Sequence, residues 1–554
     1  MEIGKWRQEM KLLSLMWVIA CVVGCAVPLS TMSQTLGEND PPSAKDESSL
    51  FKGELPWKER VIYFAVIDRF VNGDTSRDQA HGRSECNKSG DIHAYQGGDL
   101  SGLTSKVEYL KDLGIDTVWI TPLYKGVEQK EGRNCGFPGY WADFSVPYKF
   151  ELDPRFGSKE DFDTLIENLH ARKMKIILDM VVNHAGYAAK ITETHPHWFS
   201  DPQSCSQLGN PEVYCPLAGL PDFRQENQEV ADYLVDLHKV WLERFPIDGI
   251  RMDTVKHVAP WYFARWNGEM KRIRSDLYML GEILDEHSYD LFGRYLDAGF
   301  DGLFNFPLRS KMISVFALGN SVDEIAEHVL QTRKTFGSEK SDLFVNLLDN
   351  HDVPRFLEYM PEGISDRDVL MRYKLAVSAL LTLPGIPQIY YGNEIGMYGG
   401  KDPYNRRFMP GWAFEDGERT GKKEGFVNQP DEVFQHMKKL LRIRRESASL
   451  RRGNYYEIWR QNGVHQANVW AYLRKDPFSD DVSVVVINNG RLAPNQPIKM
   501  NVRGKIENGT LLTNLLSNSE GSQILVQNGH ITVNPGGRST LLLRPETSPS
   551  EERR

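Results

Sequence analysis

Gly249-Ile250-Arg251-Met252-Asp253-Thr254-Val255-Lys256-His257 is a short apolar run that carries an arginine and closes on an acid, a lysine and a histidine. Three other segments have the same design: Asp179-Met180-Val181-Val182-Asn183-His184, Leu280-Gly281-Glu282-Ile283, and Leu347-Leu348-Asp349-Asn350-His351-Asp352. A buried barrel strand looks like this where its last residues emerge into a polar pocket. Asp253, Glu282 and Asp352 are therefore expected to meet around one bound molecule.

Outward from these segments, short apolar runs alternate with amphipathic stretches. The pattern predicts strands at 61–66, 117–120, 175–182, 249–252, 277–280, 302–305, 343–348 and 388–391. Between them it predicts helices at 103–113, 162–172, 228–245, 259–273, 322–335 and 366–383. Strands alternating with helices imply parallel βαβ units. Eight of them give an α/β fold, a (β/α)8 TIM barrel over residues 53–445. Residues 185–227, rich in Pro, Gly, Asn and Cys, are too long for a structureless loop and read as a small excursion domain after the third strand. From 446 to 546 the pattern changes to strands alone, as in an antiparallel β-sandwich.

The N-terminus has its own logic. Lys5, Arg7 and Lys11 precede an apolar run from Leu12 to Leu29, which makes 1–29 an export signal. Val22-Val23-Gly24-Cys25 resembles a bacterial lipoprotein cleavage box, with Cys25 as the lipidated residue. Three outcomes stay open: a cell-envelope lipoprotein, a secreted or periplasmic protein, and an uncleaved anchor. Any membrane contact is expected through this segment alone, and polar residues 30–52 read as a flexible tether. Export permits disulfides. Cys205 with Cys215 would close a short loop and leave Cys86 with Cys135, one of three possible connectivities.

A net charge of -9 with interspersed acids and bases argues against a nucleic-acid partner. Paired carboxylates at strand ends instead suit glycosidic-bond cleavage, which needs one ionised acid and one that holds a proton. Arg251 lies two residues before Asp253 on one strand, so both side chains share a face and the guanidinium keeps Asp253 anionic. Glu282 leaves an apolar strand, and the desolvation expected there suits an acid/base.

Taken together, the four segments resemble the conserved regions of the α-amylase family, glycoside hydrolase family 13, and the resemblance runs from about Trp57 to Arg544. It implies a retaining glycosidase with an α-glucan substrate, Asp253 as nucleophile, Glu282 as general acid/base and Asp352 as the third acid. It implies that His184 and His351 hydrogen-bond the sugar, that Arg251 orients the nucleophile, and that Lys256 reaches sugar on the leaving-group side. Tyr140, in Gly139-Tyr140-Trp141-Ala142-Asp143-Phe144, matches the aromatic platform beneath that sugar.

The resemblance also implies calcium, a hard cation that takes oxygen ligands. Asn183, Asp222 and the carbonyl of His257 would hold one ion between barrel and excursion. Asp68-Arg69-Phe70-Val71-Asn72-Gly73-Asp74-Thr75-Ser76-Arg77-Asp78, with Asp99 downstream, resembles a second calcium loop, with Asn72, Asp74, Asp78 and Asp99 as ligands. Arg77 stands where relatives carry Asn, and an Asx-rich turn without metal is the alternative.

Lys256-His257 after the nucleophile matches enzymes acting internally on α-1,4-glucans such as starch. Residues 399–410, Gly-Gly-Lys-Asp-Pro-Tyr-Asn-Arg-Arg-Phe-Met-Pro, instead resemble a loop of cyclomaltodextrinases and neopullulanases. Glucanotransfer is a further alternative. A non-catalytic glycan-binding barrel is the rival from another class, but such proteins lose triad acids and this chain keeps all three.

Overall fold

A computed structural model describes residues 54–80, 86–88, 90–129, 135, 139–144, 151–462, 467–517 and 523–545. The expected signal at 1–29 and tether at 30–52 lie outside the described residues.

Eight parallel strands carry the larger part of the chain: β1 (Ile62–Ala65), β2 (Thr117–Ile120), β3 (Lys175–Met180), β4 (Gly249–Met252), β5 (Tyr278–Gly281), β6 (Gly302–Leu303), β7 (Val345–Asn346) and β8 (Ile386–Tyr390). Their order is β6-β5-β4-β3-β2-β1-β8-β7. A parallel bridge between Phe304 and Val345 joins the two outer strands, so the sheet closes on itself as a TIM barrel. The strands are buried on both faces, which is why they read as continuous apolar runs rather than alternating ones. Helices pack outside. Ser158 starts the helix Lys159–Ala171 with a capping box closed by Asp161, and Asn227 caps Gln228–Arg244.

One expectation changes. The single helix predicted at 103–113 is two, Leu100–Thr104, whose start Asp99 caps by accepting from Gly102 N, and Val107–Leu113, with the break at Ser105 and Lys106. An N-cap starts a new helix wherever its carboxylate meets backbone N–H groups, and apolar periodicity does not reveal it.

The C-terminal part has a six-stranded antiparallel sheet built from β9 (Asn454–Gln461), β10 (Val469–Lys475), β11 (Val482–Asn488), β13 (Leu511–Asn514), β14 (Gln523–Leu525) and β16 (Ser539–Pro545). Facing it is a pair absent from the sequence reading, β12 (Ile498–Asn501) with β15 (His530–Val533). Alternation decides what goes where. Trp470, Tyr472, Val485 and Ile487 join the barrel's core, while Val469, Ala471, Leu473, Val484 and Val486 form a second core with Met500 and Ile531. Both expected cysteine pairs form, Cys86–Cys135 and Cys205–Cys215.

Candidate active site

The C-terminal ends of β3, β4, β5 and β7 converge on one cleft of about 450 Å³, within the usual size of ligand pockets. Tyr140, His184, Asp253, Lys256, His257, Glu282, His351 and Asp352 all line it. Arg251 lies at its base, fully buried. The strand register explains why. Arg251 sits opposite Asp179 on β3 and Leu280 on β5, so its guanidinium points at the carboxylates leaving both neighbours.

That guanidinium organises the site. Arg251 Nη1 donates to both oxygens of Asp179, at 2.9 and 3.0 Å, and to Asp253 Oδ1 at 2.7 Å. Its Nη2 lies 2.7 Å from Glu282 Oε1, an ion pair without hydrogen-bond alignment. Burial opposes the Arg251 charge, but Asp179 and Glu282 outweigh it and hold the group well above its ordinary range. Trp119 Nε1 and the Tyr140 hydroxyl also donate to Asp179, at 3.1 and 2.6 Å. Burial pushes the Asp179 carboxyl up to about 8, against the pull of Arg251.

Glu282 Oε2 accepts from Thr254 N at 3.1 Å, while Oε1 has no hydrogen-bond partner among the described residues. Thr254 adopts a left-handed conformation, φ 48° and ψ 40°. That is a strained choice for a β-branched residue, and it aims this N–H at the acid.

Both histidines are neutral donors or acceptors. Burial lowers His184, and burial with the nearby Arg251 and Arg406 charges lowers His351 well below its usual range. The Tyr140 ring stacks on His351 at 4.9 Å between centroids, forming a flat wall. Burial and the Glu282 carboxylate push Asp352 well above the usual range, against the Arg406 and Arg251 charges. Its side chain is nonetheless 29% exposed to the cleft, so water offsets part of that push until a ligand fills the site.

Several lining residues escaped the sequence reading. Arg406 donates from Nε to His351 O at 2.7 Å and approaches Asp352 at 3.7 Å. Asp402, 3.2 Å from Arg406, lines the cleft with it, and the loop 399–410 had been read only as a subtype marker. The excursion contributes Leu217 and Leu220, and its Glu212 pairs with Lys256 Nζ at 3.1 Å. The Glu212 carbonyl also accepts from His257 Nδ1 at 2.9 Å.

The first expected calcium site suits the ion. A bridge between His184 and Asp222 brings Asn183 and Asp222 together, and Asn183 Oδ1 is buried without a hydrogen-bond partner among the described residues. Burial raises Asp222 to about 7, against the hydrogen bond its Oδ2 accepts from Ser200 Oγ at 2.8 Å. The second expected site does not suit it. Asn72, Asp74, Asp78 and Asp99 cluster in a loop that does not line the cleft, and there Lys88 already pairs with Asp78 at 2.9 Å and Arg77 with Asp74 at 3.1 Å. The sequence showed Arg77 but gave no sign of Lys88.

The chain is similar to known proteins in sequence and in fold. The sequence model of the α-amylase catalytic domain matches residues 64–204 and 212–453. A cyclomaltodextrinase of Geobacillus thermopakistaniensis (strain MAS1) is 28% identical over 463 residues, 81% of this chain and 72% of that protein. Neopullulanase 2 of Thermoactinomyces vulgaris is 31% identical over 447 residues, 78% of this chain and 69% of that one. Among solved structures, an α-amylase from Geobacillus thermoleovorans complexed with acarbose superimposes with a TM-score of 0.72 at 30% identity. That match covers 89% of this chain and 100% of that one.

Proposed function

The chain belongs to the α-amylase family and is a glycoside hydrolase of starch-like glucans, and from that premise we propose that it cleaves internal α-1,4-glucosidic bonds with retention of configuration. One observation carries the reading: a single buried guanidinium contacts Asp253 and Glu282, each at 2.7 Å, in a cleft that Asp352, His184, His351 and Tyr140 complete. One arginine spanning both acids favours the short carboxylate separation of retaining enzymes, about 5 Å, over the roughly 6.5–9.5 Å that leaves room for a water.

Asp253 attacks the anomeric carbon, held in place by the hydrogen bond it accepts from Arg251. Glu282, which lines the cleft with its Oε2 held by Thr254 N, protonates the departing glycosidic oxygen. The same carboxylate then takes a proton from the water that releases the glycosyl group from Asp253. Neutral His184 and His351 and the Asp352 carboxyl hydrogen-bond sugar hydroxyls, and the Tyr140 ring supplies an apolar face for the pyranose. Calcium at Asn183, Asp222 and the His257 carbonyl would supply a structural tie between the excursion and the barrel. Two disulfides support export to an oxidising compartment, through the segment 1–29.

A second reading is cyclomaltodextrinase or neopullulanase activity, favoured by Asp402 and Arg406 lining the cleft from the loop 399–410. The separating experiment is a product time course on soluble starch, maltoheptaose, β-cyclodextrin and pullulan, with and without EDTA. Early mixed maltooligosaccharides from starch, diminished by EDTA, are expected. Faster cleavage of cyclodextrin or pullulan would establish the second reading, and absence of turnover on all four would remove both.

A further inference from the structure

The cluster at residues 72–78 and Asp99 has the acids of a calcium loop and a different occupant. We infer that the Lys88 ammonium is the built-in cation of this loop and holds it folded without metal.

Lys88 Nζ lies 2.9 Å from Asp78 Oδ2. Its backbone is fixed against the same turn: Lys88 N donates to Asp78 O at 3.2 Å, and Gln79 Nε2 donates to Lys88 O at 3.2 Å. Two residues earlier, Cys86 is tied to Cys135, and the Cys86 carbonyl accepts from the buried Arg155 at 3.2 Å. An ammonium delivered by a segment anchored in this way loses less side-chain freedom on pairing than a free surface lysine would.

Every carboxylate oxygen of the cluster already has a partner. Asp78 Oδ1 accepts from Asn72 Nδ2 at 2.9 Å. Asp99 Oδ2 accepts from Gly73 N and Asp74 N, at 3.0 and 2.7 Å, and its Oδ1 accepts from Gly102 N at 2.7 Å. Asp74 Oδ1 caps the turn through Ser76 N at 3.1 Å, and Oδ2 lies 3.1 Å from Arg77 Nε. Calcium needs roughly six to eight oxygen ligands. Only Asn72 Oδ1 remains without a hydrogen-bond partner among the described residues. The cradle is also full: a Cβ at Gly97 would fall 2.4 Å from Asn72 Nδ2 and 3.0 Å from Lys88 Cδ.

Two cations, Lys88 and Arg77, thus face the two most accessible acids, and backbone amides saturate the third. This loop abuts the cleft wall, since Gly98 N donates to Asp68 O and Gln96 N to Asp68 Oδ1 beside the cleft-lining Arg69. Chelators should therefore leave this side of the cleft intact.

The test counts calcium bound to the full-length chain, after loading and desalting, by elemental mass spectrometry. Wild type and Asp78→Asn are expected to hold the same number of ions; one ion fewer in D78N overturns the inference. Thermal unfolding in EDTA gives the independent reading. Lys88→Met, which keeps the stem that packs on Gly97, is expected to lower Tm by about 1–2 °C, and Lys88→Arg to recover most of that loss. A K88M chain with wild-type Tm in EDTA would equally overturn it.

Discussion

Replacing Arg251 by Lys isolates the part played by the guanidinium's shape. Arg251 contacts Asp179 through two hydrogen bonds, Asp253 through one, and Glu282 as an ion pair, all at 2.7–3.0 Å. A lysine keeps the charge but is a point donor on a flexible stem and cannot span three carboxylates. The contact most directly tied to chemistry is the one to Asp253. A hydrogen bond to a charged group contributes about 1.5–3 kcal/mol, and each ~1.4 kcal/mol is tenfold in rate. Arg251→Lys should therefore lower kcat by about 10- to 150-fold with a modest change in KM. Arg251→Met removes the charge as well, leaving buried Asp179 unpaired, and should destabilise the fold by about 3–5 kcal/mol. Initial rates on a chromogenic maltooligosaccharide and urea unfolding of both variants supply the numbers. A Lys variant within about threefold of wild-type kcat would refute the argument that one guanidinium sets the geometry of the acids.

Other consequences follow from the same structure. Glu282→Gln should lose about 10²- to 10⁴-fold on starch yet much less on a glucosyl fluoride, whose leaving group needs no proton; equal losses would deny Glu282 the acid role. His238 and His436, lowered to about 3, and His328, lowered to about 4, are all held neutral by burial. Unfolded, each takes up a proton near pH 6.5, so stability is full above that pH and is lost as pH falls from about 6.5 toward 4, by roughly 4 kcal/mol per pH unit at the steepest for the three together. His436→Gln should flatten that slope by about a third in urea titrations across this window, and an unchanged slope would contradict it. Glu212→Gln frees Lys256 from a partner that is 45% exposed, a pairing worth up to about 1 kcal/mol. KM for maltoheptaose should fall by up to about fivefold, with no change on a fluoride donor that places no sugar on the leaving-group side.

The sequence made the barrel and the catalytic side chains legible because both are local patterns. Apolar runs mark β1–β8, and the spacing of Arg251 and Asp253 by two residues on one strand sets them on one face, as the 2.7 Å contact shows. What it hid depends on register between strands. Asp179 stands in a quoted segment, yet its partnership with Arg251 exists only because β3 and β4 pair Asp179 opposite Arg251. Thr254 gave no warning either, since a β-branched residue is an unlikely choice for a left-handed turn and is held there by the hydrogen bond its N–H gives Glu282. The expected second calcium loop hides its cationic partner for a related reason. Its acids sit close together in the chain, but Lys88 comes from a stretch without periodicity and reaches Asp78 only through the fold. In the C-terminal sandwich, β12 and β15 alternate buried and less buried positions over four residues each and carry no continuous apolar run to mark them.

The most direct test of Asp253 as nucleophile is to trap the glycosyl-enzyme with a 5-fluoro-α-glucosyl fluoride and map the labelled peptide by mass spectrometry. A single adduct on Asp253, absent from Asp253→Asn, is the expected result. An adduct on another residue, or β-configured product with no adduct at all, would contradict a retaining mechanism at this arginine-linked pair of acids.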